Sequence, residues 1–332
     1  MQVVVLAGGV GSRLRPWTNS VPKPLLPMLD LSLLERVVEG VPNDLIDEVV
    51  VAGGYKVDMI QNYFANADVD FDVRIVPEDK PLGTGGALGN CRDVVSGTFA
   101  CFNGDIVSSL QVEPLLDLHR NNGGIGTLAL WEVEDPTRFG IVGLDDDSRI
   151  TQFKEKPTPE EVFSNLINAG SYILEDDIFD FMPLGKHSIE RDVFPRLASH
   201  GALNGQQFEG YFIDAGTPSA WSDAVNRCIK EGRFRRGIIH GNSWYGSEET
   251  TTSEQVSESM IDSNVTVSNS TINRSTLLSG ASVGPNSVVE SCMVGRDVHI
   301  GSNVQLLNMV IDHGSVIPDG TSMSDGEWPR TD

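Results

Sequence analysis

The chain is 332 residues long, enough for two domains, and its 47 acidic and 24 basic side chains give a net charge of −23. So acidic a chain argues against a bulk nucleic-acid binder, and no apolar run approaches the roughly 18 residues that a membrane helix needs. The first residues lack the basic start of a signal peptide, so we expect a soluble, cytoplasmic protein with no nucleic-acid or membrane partner.

The acidity has two interpretations that the sequence leaves open. The chain is either adapted to a salt-rich interior, where screening tolerates self-repulsion, or simply kept soluble by its charge. The four cysteines are scattered, with no CxxC pair, and are expected to be reduced, buried thiols: Cys91, Cys101, Cys228 and Cys292.

Short apolar runs alternate with helix-like segments over residues 1–236. Six runs are predicted to be strands covered on both faces: Val3–Ala7, Glu48–Gly53, Asp72–Pro77, Thr98–Asn103, Gly126–Val133 and Ser171–Leu174. Helices are predicted at Leu31–Glu39, Val57–Asn66 and Val112–Arg120. This alternation predicts an α/β domain with a Rossmann-like, mostly parallel sheet, whose ligands bind beyond the carboxyl ends of the strands. The acidic run 145–147 is predicted to be a solvated hairpin turn rather than a metal site.

The composition changes after residue 236. Residues 237–256 are rich in Gly, Ser, Thr and Glu and are predicted to form a linker. Beyond them, apolar residues recur every 17 positions in three series: Leu277, Val294 and Ile311; Val283, Ile300 and Ile317; Ile272, Val289 and Leu306. This period predicts a parallel, triangular β-helix over residues 257–323, followed by a tail at 324–332.

A glycine-rich turn follows the first predicted strand, in the sequence GGVGSRLRP that begins at Gly8. Three glycines in four residues allow a tight turn whose backbone N–H groups can bind an anion. Arg13 lies beside this turn, and Lys23 is held between Pro22 and Pro24, which restrict the direction of its stem. The turn therefore indicates a phosphate site, although it matches neither the dinucleotide fingerprint nor the P-loop.

These residues resemble a known family. GGVGSRLRP followed by PKPLLP is similar to the signature of the sugar-nucleotide pyrophosphorylases, which are nucleotidyltransferases acting on sugar 1-phosphates. Ser12 stands where the family usually has Thr, and Trp17 stands where it usually has Leu and is interpreted as a packing residue. Further segments resemble family motifs in the same order, namely LGTGGA at 82–87, NGD at 103–105, FGIV at 139–142, EKP at 155–157, NAG at 168–170 and DAGTP at 214–218. A left-handed β-helix is a common appendage of the family.

The resemblance implies attack by a sugar 1-phosphate on the α-phosphorus of a nucleoside triphosphate, which releases pyrophosphate. Arg13 and Lys23 are then the expected catalytic residues, and Mg²⁺ the expected cofactor, held by Asp105 and Asp214. The sugar 1-phosphate is expected to contact Gly140, Glu155, Lys156 and Asn168. The nucleotide is expected to contact Leu6, Ala7, Gly8, Gly9, Gly11, Ser12, Arg13, Gly83, Thr84 and Gly104.

The base and the sugar are less clearly indicated. SIERDVFP at 188–195 resembles a stretch common in mannose-1-phosphate guanylyltransferases, which implies that GTP and mannose 1-phosphate form GDP-mannose. However, GTGGA at 83–87 replaces the GTAGP that this subgroup often has. Thymidylyl or uridylyl transfer to glucose 1-phosphate is therefore the alternative.

Two other hypotheses concern the whole chain. The β-helix could carry an acyltransferase with His299 or His313 as a base, or the chain could be a non-catalytic regulatory subunit. The first is disfavoured by the short β-helix, and the second by the presence of every phosphate-handling residue. Because the ends of a β-helix expose strand edges, we also expect a homo-oligomer.

Overall fold

The computed structural model describes residues 1–248 and 255–329, and the chain divides into two compact units. Unit 1 comprises Met1–Gly9 and Leu34–Phe212, and unit 2 comprises Val10–Leu33 and Ile213–Asp332. The division passes through the glycine turn. Gly8 and Gly9 therefore belong to unit 1, whereas Gly11, Arg13 and Lys23 belong to unit 2.

Unit 1 is built on one nine-stranded sheet. Its strands in chain order are Gln2–Leu6 (β1), Glu48–Gly53 (β2), Asp72–Pro77 (β3), Phe99–Asn103 (β4), Gly126–Glu132 (β5), Gly140–Leu144 (β6), Ile150–Glu155 (β7), Leu166–Leu174 (β8) and Leu203–Gln207 (β9). The spatial order is β7-β6-β8-β4-β1-β2-β3, and β5 pairs with β8 and β9. Neighbours from β4 to β3 are parallel, whereas β8 is antiparallel to β4.

The core of unit 1 explains why its strands have continuous apolar sequences. Val3, Val4 and Val5 of β1 are all fully buried, because both faces of the central strands are covered. Helices flank the sheet, and Val57–Phe64 buries Ile60 and Phe64, which lie four residues apart on one helix face. The other helices of this region are Leu33–Val38, Gly83–Gly89, Val112–Asn122 and Phe194–Ser199, with a π-helical turn at Ile189–Val193 and 3-10 turns at Asn43–Leu45, Pro159–Glu161 and Asp176–Phe181.

The α/β fold predicted from the sequence is confirmed. Every predicted strand and helix is present, and all of their ends but one agree with the prediction within two residues. The largest difference is at Ser171–Leu174, which is only the end of the nine-residue strand β8. The acidic run 145–147 forms the exposed tip of the antiparallel β6–β7 hairpin.

Unit 2 begins with Val10–Leu33, which we call the signature segment. It folds into short turns and strands at Ser12–Leu14, Trp17–Ser20, Lys23–Leu25, Pro27–Met28 and Leu31–Ser32. After the strand Phe212–Asp214, the helix Pro218–Lys230 begins with Thr217 as its N-cap, whose side chain accepts a hydrogen bond from the Ala220 N–H.

The predicted β-helix is present, as a curled parallel sheet consistent with a left-handed β-helix. The three apolar series form ladders, since Leu277 pairs with Val294 and Val294 with Ile311, and the other two series pair in the same way. The first coil is shorter by one residue, because Ile261 pairs with Leu277. The strands of the whole C-terminal region are Ile238–His240, Ser243–Tyr245, Val256–Ser257, Met260–Ile261, Thr266–Val267, Thr271–Asn273, Thr276–Leu277, Ser282–Val283, Val288–Glu290, Met293–Val294, His299–Ile300, Gln305–Ile311, Val316–Ile317 and Ser322–Trp328.

Strands also lie inside the segments that composition predicts to be a linker and a tail. Ser243–Tyr245 pairs in parallel with Met260–Ile261, and Ser322–Trp328 pairs with Gln305–Ile311. Residues 249–254 of the predicted linker and 330–332 of the predicted tail lie outside the described residues. Serine is abundant here for a structural reason: the buried Ser259 hydroxyl accepts from the Ser275 N–H at 3.0 Å, and Ser243 accepts from the Ser259 N–H at 3.1 Å.

Two further expectations concern the whole chain. All four cysteines are buried thiols, and burial raises the pKa of Cys91 and Cys292 to about 12. Among the residues described, none of the helices is both long and apolar enough to span a membrane.

Candidate active site

The carboxyl ends of β1 and β4 bring four predicted nucleotide-binding residues together in unit 1. The Gly104 N–H donates to the Leu6 carbonyl at 3.0 Å, and the Ala7 N–H donates to the Ala52 carbonyl at 2.7 Å. A Cβ on Gly104 would lie 2.8 Å from the Leu6 carbonyl oxygen, so this approach requires glycine. The backbone of Gly104 therefore packs directly against the backbone of Leu6 at this edge of the sheet.

Glu78 faces this edge, although no motif in the sequence points to it. It follows β3 and is only 9% exposed, and its Oε2 would lie 3.1 Å from a Cβ on Gly8. Oε2 accepts a weak hydrogen bond from the Leu82 N–H at 3.4 Å, whereas the buried Oε1 has no hydrogen-bond partner. Burial raises the pKa of Glu78. A buried carboxylate oxygen without a donor is what a ligand N–H group would satisfy.

The helix Gly83–Gly89 carries the predicted base-reading residues Gly83 and Thr84. The N–H groups of Gly85 and Gly86 both donate to the His187 carbonyl at 3.2 Å. A Cβ on Gly85 would lie 2.6 Å from His187 Nε2, so the imidazole occupies the space that alanine would need. The glycine at this position of GTGGA is therefore matched to His187.

Thr84 connects this helix to the segment around Glu190. Its hydroxyl donates to Glu190 Oε2 at 2.6 Å and accepts from the Ile189 N–H at 3.1 Å. The Ser188 hydroxyl donates to the same carboxylate oxygen at 2.6 Å. Glu190 is a second residue absent from the predicted site. It stands in SIERDVFP, but that resemblance does not indicate the contact with Thr84, which joins residues 106 positions apart.

Glu155 and Lys156 lie at the end of β7, beside Gly140 of β6. Glu155 is partly buried, and a Cβ on Gly140 would approach its Oε2 to 2.9 Å. Burial and then the Glu190 carboxylate raise the pKa of Glu155, while Lys156 opposes the rise. Lys156 has a left-handed backbone, with φ 48°, and its ammonium is exposed, 3.8 Å from Glu155 Oε1. These three predicted sugar-binding residues are thus neighbours, and Lys156 is available to a ligand.

Asn168 is held at an irregular position within β8. Its Nδ2 donates to the Tyr172 hydroxyl at 2.9 Å, and its Oδ1 accepts from the Gly170 N–H at 3.1 Å. The pairing of β8 with β5 shifts register between Asn168 and Tyr172, and Gly170 has φ 68°. The NAG motif therefore interrupts the pairing of β8 with β5 and fixes the Asn168 amide, whose second N–H and second lone pair can still bind a hydroxyl.

Unit 2 holds the remaining phosphate-binding candidates on the signature segment. Gly11 is left-handed, with φ 69°, and a Cβ there would lie 2.9 Å from Thr18 and 3.2 Å from the Cβ of Lys23. Lys23 is only 7% exposed, and Pro22 before it has φ −65°. Gly11, Thr18 and Lys23 are thus closely packed, and a larger residue at position 11 would separate them, whereas Ser12 is exposed.

Arg13 and Asp214 are neighbours in unit 2. The guanidinium Nη2 lies 4.0 Å from Asp214 Oδ2, and the Arg13 side chain is 53% exposed. A Cβ on Gly216 would lie 2.7 Å from Asp214 Oδ1 and would also overlap the guanidinium. The glycine of DAGTP therefore leaves the space that the Arg13–Asp214 pair occupies.

The donor chemistry at Asp105 and Asp214 suits magnesium. Asp105 lies just after β4 in unit 1, and Asp214 ends the strand Phe212–Asp214 in unit 2. In residues 1–248 and 255–329 no group of three or more His, Cys, Asp or Glu side chains could hold a metal ion. Magnesium needs no such group, because one or two carboxylates, water and substrate phosphates complete its shell.

Comparison with known proteins gives two family matches. Residues 2–231 match the family model described as "Nucleotidyl transferase", and residues 245–329 match the one described as "GlmU-like, C-terminal hexapeptide". A mannose-1-phosphate guanylyltransferase of Mycobacterium tuberculosis is 32% identical over 98% of this chain and 82% of its own length. The catalytic subunit beta of that enzyme from Xenopus tropicalis is 34% identical over 66% of this chain and 62% of its own length.

A solved structure is also similar. The crystal structure of HddC from Yersinia pseudotuberculosis complexed with GMP-PN matches with a TM-score of 0.56 and 29% identity. The match covers 68% of this chain and 98% of that one.

Proposed function

The chain belongs to the nucleotidyl transferase family, as its motifs predicted, and from this premise we propose that it makes GDP-mannose and pyrophosphate from GTP and mannose 1-phosphate. The M. tuberculosis relative that aligns with nearly the whole chain carries this activity in its name. The observation that carries the choice of base is Glu78.

A carboxylate is chemically matched to guanine. Guanine presents two adjacent donors, N1–H and the N2 amino group, and an ionised carboxylate only accepts hydrogen bonds. Glu78 has a buried oxygen that lacks a donor, next to the helix Gly83–Gly89 that carries the predicted base-reading residues. Uracil and thymine instead present one N–H between two carbonyls, which suits an amide better than a carboxylate.

The reaction joins two polyanions, so charge neutralisation and positioning dominate its catalysis. An oxygen of the sugar 1-phosphate attacks the α-phosphorus, and the bond from that phosphorus to the pyrophosphate oxygen breaks. Arg13 binds the departing pyrophosphate through its planar fork, and Lys23 neutralises charge at the α-phosphate. Lys156 binds the attacking phosphate, which explains why its ammonium is exposed beside a partly buried carboxylate.

Glu155 and Asn168 bind the hydroxyl groups of the sugar. Glu155 is partly buried, and its pKa is raised, so a hydroxyl donor would stabilise its ionised form. The Asn168 amide is fixed by Tyr172 and Gly170 and therefore offers its remaining groups in one orientation.

Asp105 and Asp214 would hold Mg²⁺ together with the nucleotide phosphates. The ion would supply charge stabilisation on the phosphate oxygens. Arg13 lies 4.0 Å from Asp214 and would share this carboxylate with the ion.

We also propose a homo-oligomer that forms through the β-helix. Its outer surface exposes apolar side chains at Val288, Leu307 and Val316, the last 61% exposed. Light scattering during size-exclusion chromatography measures the copy number, and a monomer at all concentrations contradicts the proposal.

The two histidines that an acyltransferase on the β-helix could use as a base both have structural contacts. His313 Nδ1 accepts a hydrogen bond from the Arg296 backbone N–H at 2.8 Å, and the ring is packed against Trp17. His299 Nδ1 is bonded to the Ser282 hydroxyl at 2.7 Å.

A pyrophosphate-release screen of GTP, ATP, UTP, CTP and TTP against several sugar 1-phosphates tests the proposal. We expect the highest kcat/KM for GTP with mannose 1-phosphate. Faster release from UTP or TTP with glucose 1-phosphate would establish the alternative substrates instead. Failure to release pyrophosphate with any pair would indicate a regulatory subunit.

A further inference from the structure

The signature segment is attached to the β-helix through Trp17. The indole is fully buried, and its Nε1–H donates to the Ile311 carbonyl at 2.9 Å. The same ring stacks on His313, with centroids 5.8 Å apart and planes inclined by 22°. Both contacts lie within unit 2, at the end of the coil strand Gln305–Ile311.

Two further contacts fasten the other end of the segment. The Leu29 N–H donates to Met260 Sδ at 3.3 Å, on a strand of the first coil. Asp30 accepts from the backbone N–H groups of Arg235 and Arg236 at 2.7 and 2.8 Å. The residues between these attachments include Lys23, so this lysine is held from both sides.

A short path leads from Trp17 to the glycine turn. Thr18 follows Trp17 directly, is 1% exposed, and donates its hydroxyl to the Gly11 carbonyl at 2.9 Å. Gly11 in turn packs against the stem of Lys23. Within unit 2, Trp17 is therefore linked through Thr18 to Gly11 and to Lys23.

We propose that the β-helix positions the phosphate-binding segment for nucleotide binding, with Trp17 as the positioning residue and Ile311 and His313 as its seat. Leucine, the usual residue of the family at this position, could not make the same attachment, because its side chain has no N–H to donate and no ring to stack. The consequence for catalysis depends on the function proposed above for Arg13 and Lys23, whereas the attachment itself does not.

His313 is suited to this seat. Because the Arg296 N–H donates to Nδ1, the neutral ring carries its proton on Nε2. Asparagine at position 313 would keep an acceptor near the place of Nδ1 but would lose the stacking surface. His299 offers a matched control, since it lies on the same β-helix and contacts Ser282 rather than the signature segment.

Kinetics of Trp17→Phe and His313→Asn test the proposal, with His299→Asn as the control. Trp17→Phe removes the N–H donor together with part of the ring, and His313→Asn removes the stacking surface. For both, we expect the KM for the nucleoside triphosphate to rise about threefold to tenfold, while the KM for the sugar 1-phosphate changes less than about twofold. An unchanged nucleotide KM in both variants, with a lower melting temperature, would reduce Trp17 to a packing residue and overturn the proposal.

Limited trypsin digestion gives a readout that needs no activity. Arg13 precedes Leu14 and can be cleaved once the segment detaches, whereas the bond from Arg15 to Pro16 resists trypsin. Cleavage at Arg13 should accelerate about threefold or more in Trp17→Leu and Trp17→Phe, relative to cleavage at the exposed Lys186 of unit 1. Equal acceleration at both sites would indicate general unfolding and contradict the attachment. If cleavage is selective but no nucleotide is turned over by the unaltered protein, the proposed function fails and the attachment stands.

Discussion

At the residue scale, Glu78 is the side chain on which the choice of base depends. Glu78→Gln should lower kcat/KM for GTP about 10-fold to 100-fold, because one of the two guanine donors loses its acceptor. The same variant should raise the relative use of UTP. Asp79→Asn, a neighbouring exposed residue, is the control and should leave the preference unchanged. Equal losses for every nucleotide would remove Glu78 from base reading.

The pH dependence provides a second measurement on the same residue. Burial raises the pKa of Glu78, so its protonated form appears at a higher pH than for an ordinary glutamate. Since only the carboxylate accepts both guanine donors, preference for GTP should weaken on mild acidification. A preference that stays constant down to about pH 4 contradicts this.

Lys156 is expected to act on the sugar phosphate alone. Lys156→Ala should raise the KM for the sugar 1-phosphate about tenfold or more, since a charged hydrogen bond to phosphate is lost. Lys154→Ala is a close control, because Lys154 is exposed two residues away and pairs with Glu161 at 2.9 Å. A rise confined to the KM for the nucleotide would show that the roles assigned to Lys156 and Lys23 are wrong.

Asp105 is expected to be needed for magnesium. Asp105→Ala should lower Mg²⁺-dependent kcat at least about 100-fold while the protein stays folded, because charge stabilisation at the phosphates is lost. Asp146→Ala at the exposed hairpin tip is the control, and circular dichroism verifies folding of both variants. An unchanged kcat would exclude Asp105 as a metal ligand.

At the element scale, the helix Gly83–Gly89 shows how a family motif adapts to its surroundings. Alanine normally favours a helix over glycine by about 1 kcal/mol, yet Gly85→Ala should destabilise the protein by roughly 1–3 kcal/mol because its Cβ would overlap His187. In a His187→Ala background the cost should fall. Gly89→Ala is the control in the same helix, since its nearest neighbours lie at 3.8 Å. Equal effects at both glycines in a thermal or urea titration would contradict this explanation of GTGGA.

The β-helix illustrates a limit of composition as a guide at this scale. Its apolar series could be assigned from the sequence, because residues in successive coils stack in register and must repeat. The serine-rich flank around Ser243 was predicted to be a linker, because free linkers and serine ladders have the same composition. Only the hydrogen bonds from one coil to the next distinguish them.

At the scale of the whole molecule, the net charge of −23 should make stability depend on salt. If the chain is adapted to a salt-rich interior, its melting temperature should rise by about 3 °C or more between about 0.1 M and about 1 M KCl, because screening weakens self-repulsion. Glycerol at equal osmolality, which screens no charge, is the control. No rise in KCl, or an equal rise in glycerol, would favour the simpler interpretation of acidity as a source of solubility.

The sequence alone was sufficient for the α/β class, the β-helix and the order of the family motifs. These features depend on local periodicity and on short segments, such as the turn at Gly8, whose residues are adjacent in the chain. Glu78, Glu190 and the seat of Trp17 required the tertiary structure. Glu78 is identified by its burial beside Gly8, and Glu190 by its hydrogen bond with Thr84. Trp17 is identified by its hydrogen bond to Ile311, which is 294 residues away in the chain. Burial and contacts between residues distant in sequence produce no periodic pattern in the sequence. The side chains that depend on them can therefore be identified only in the folded chain.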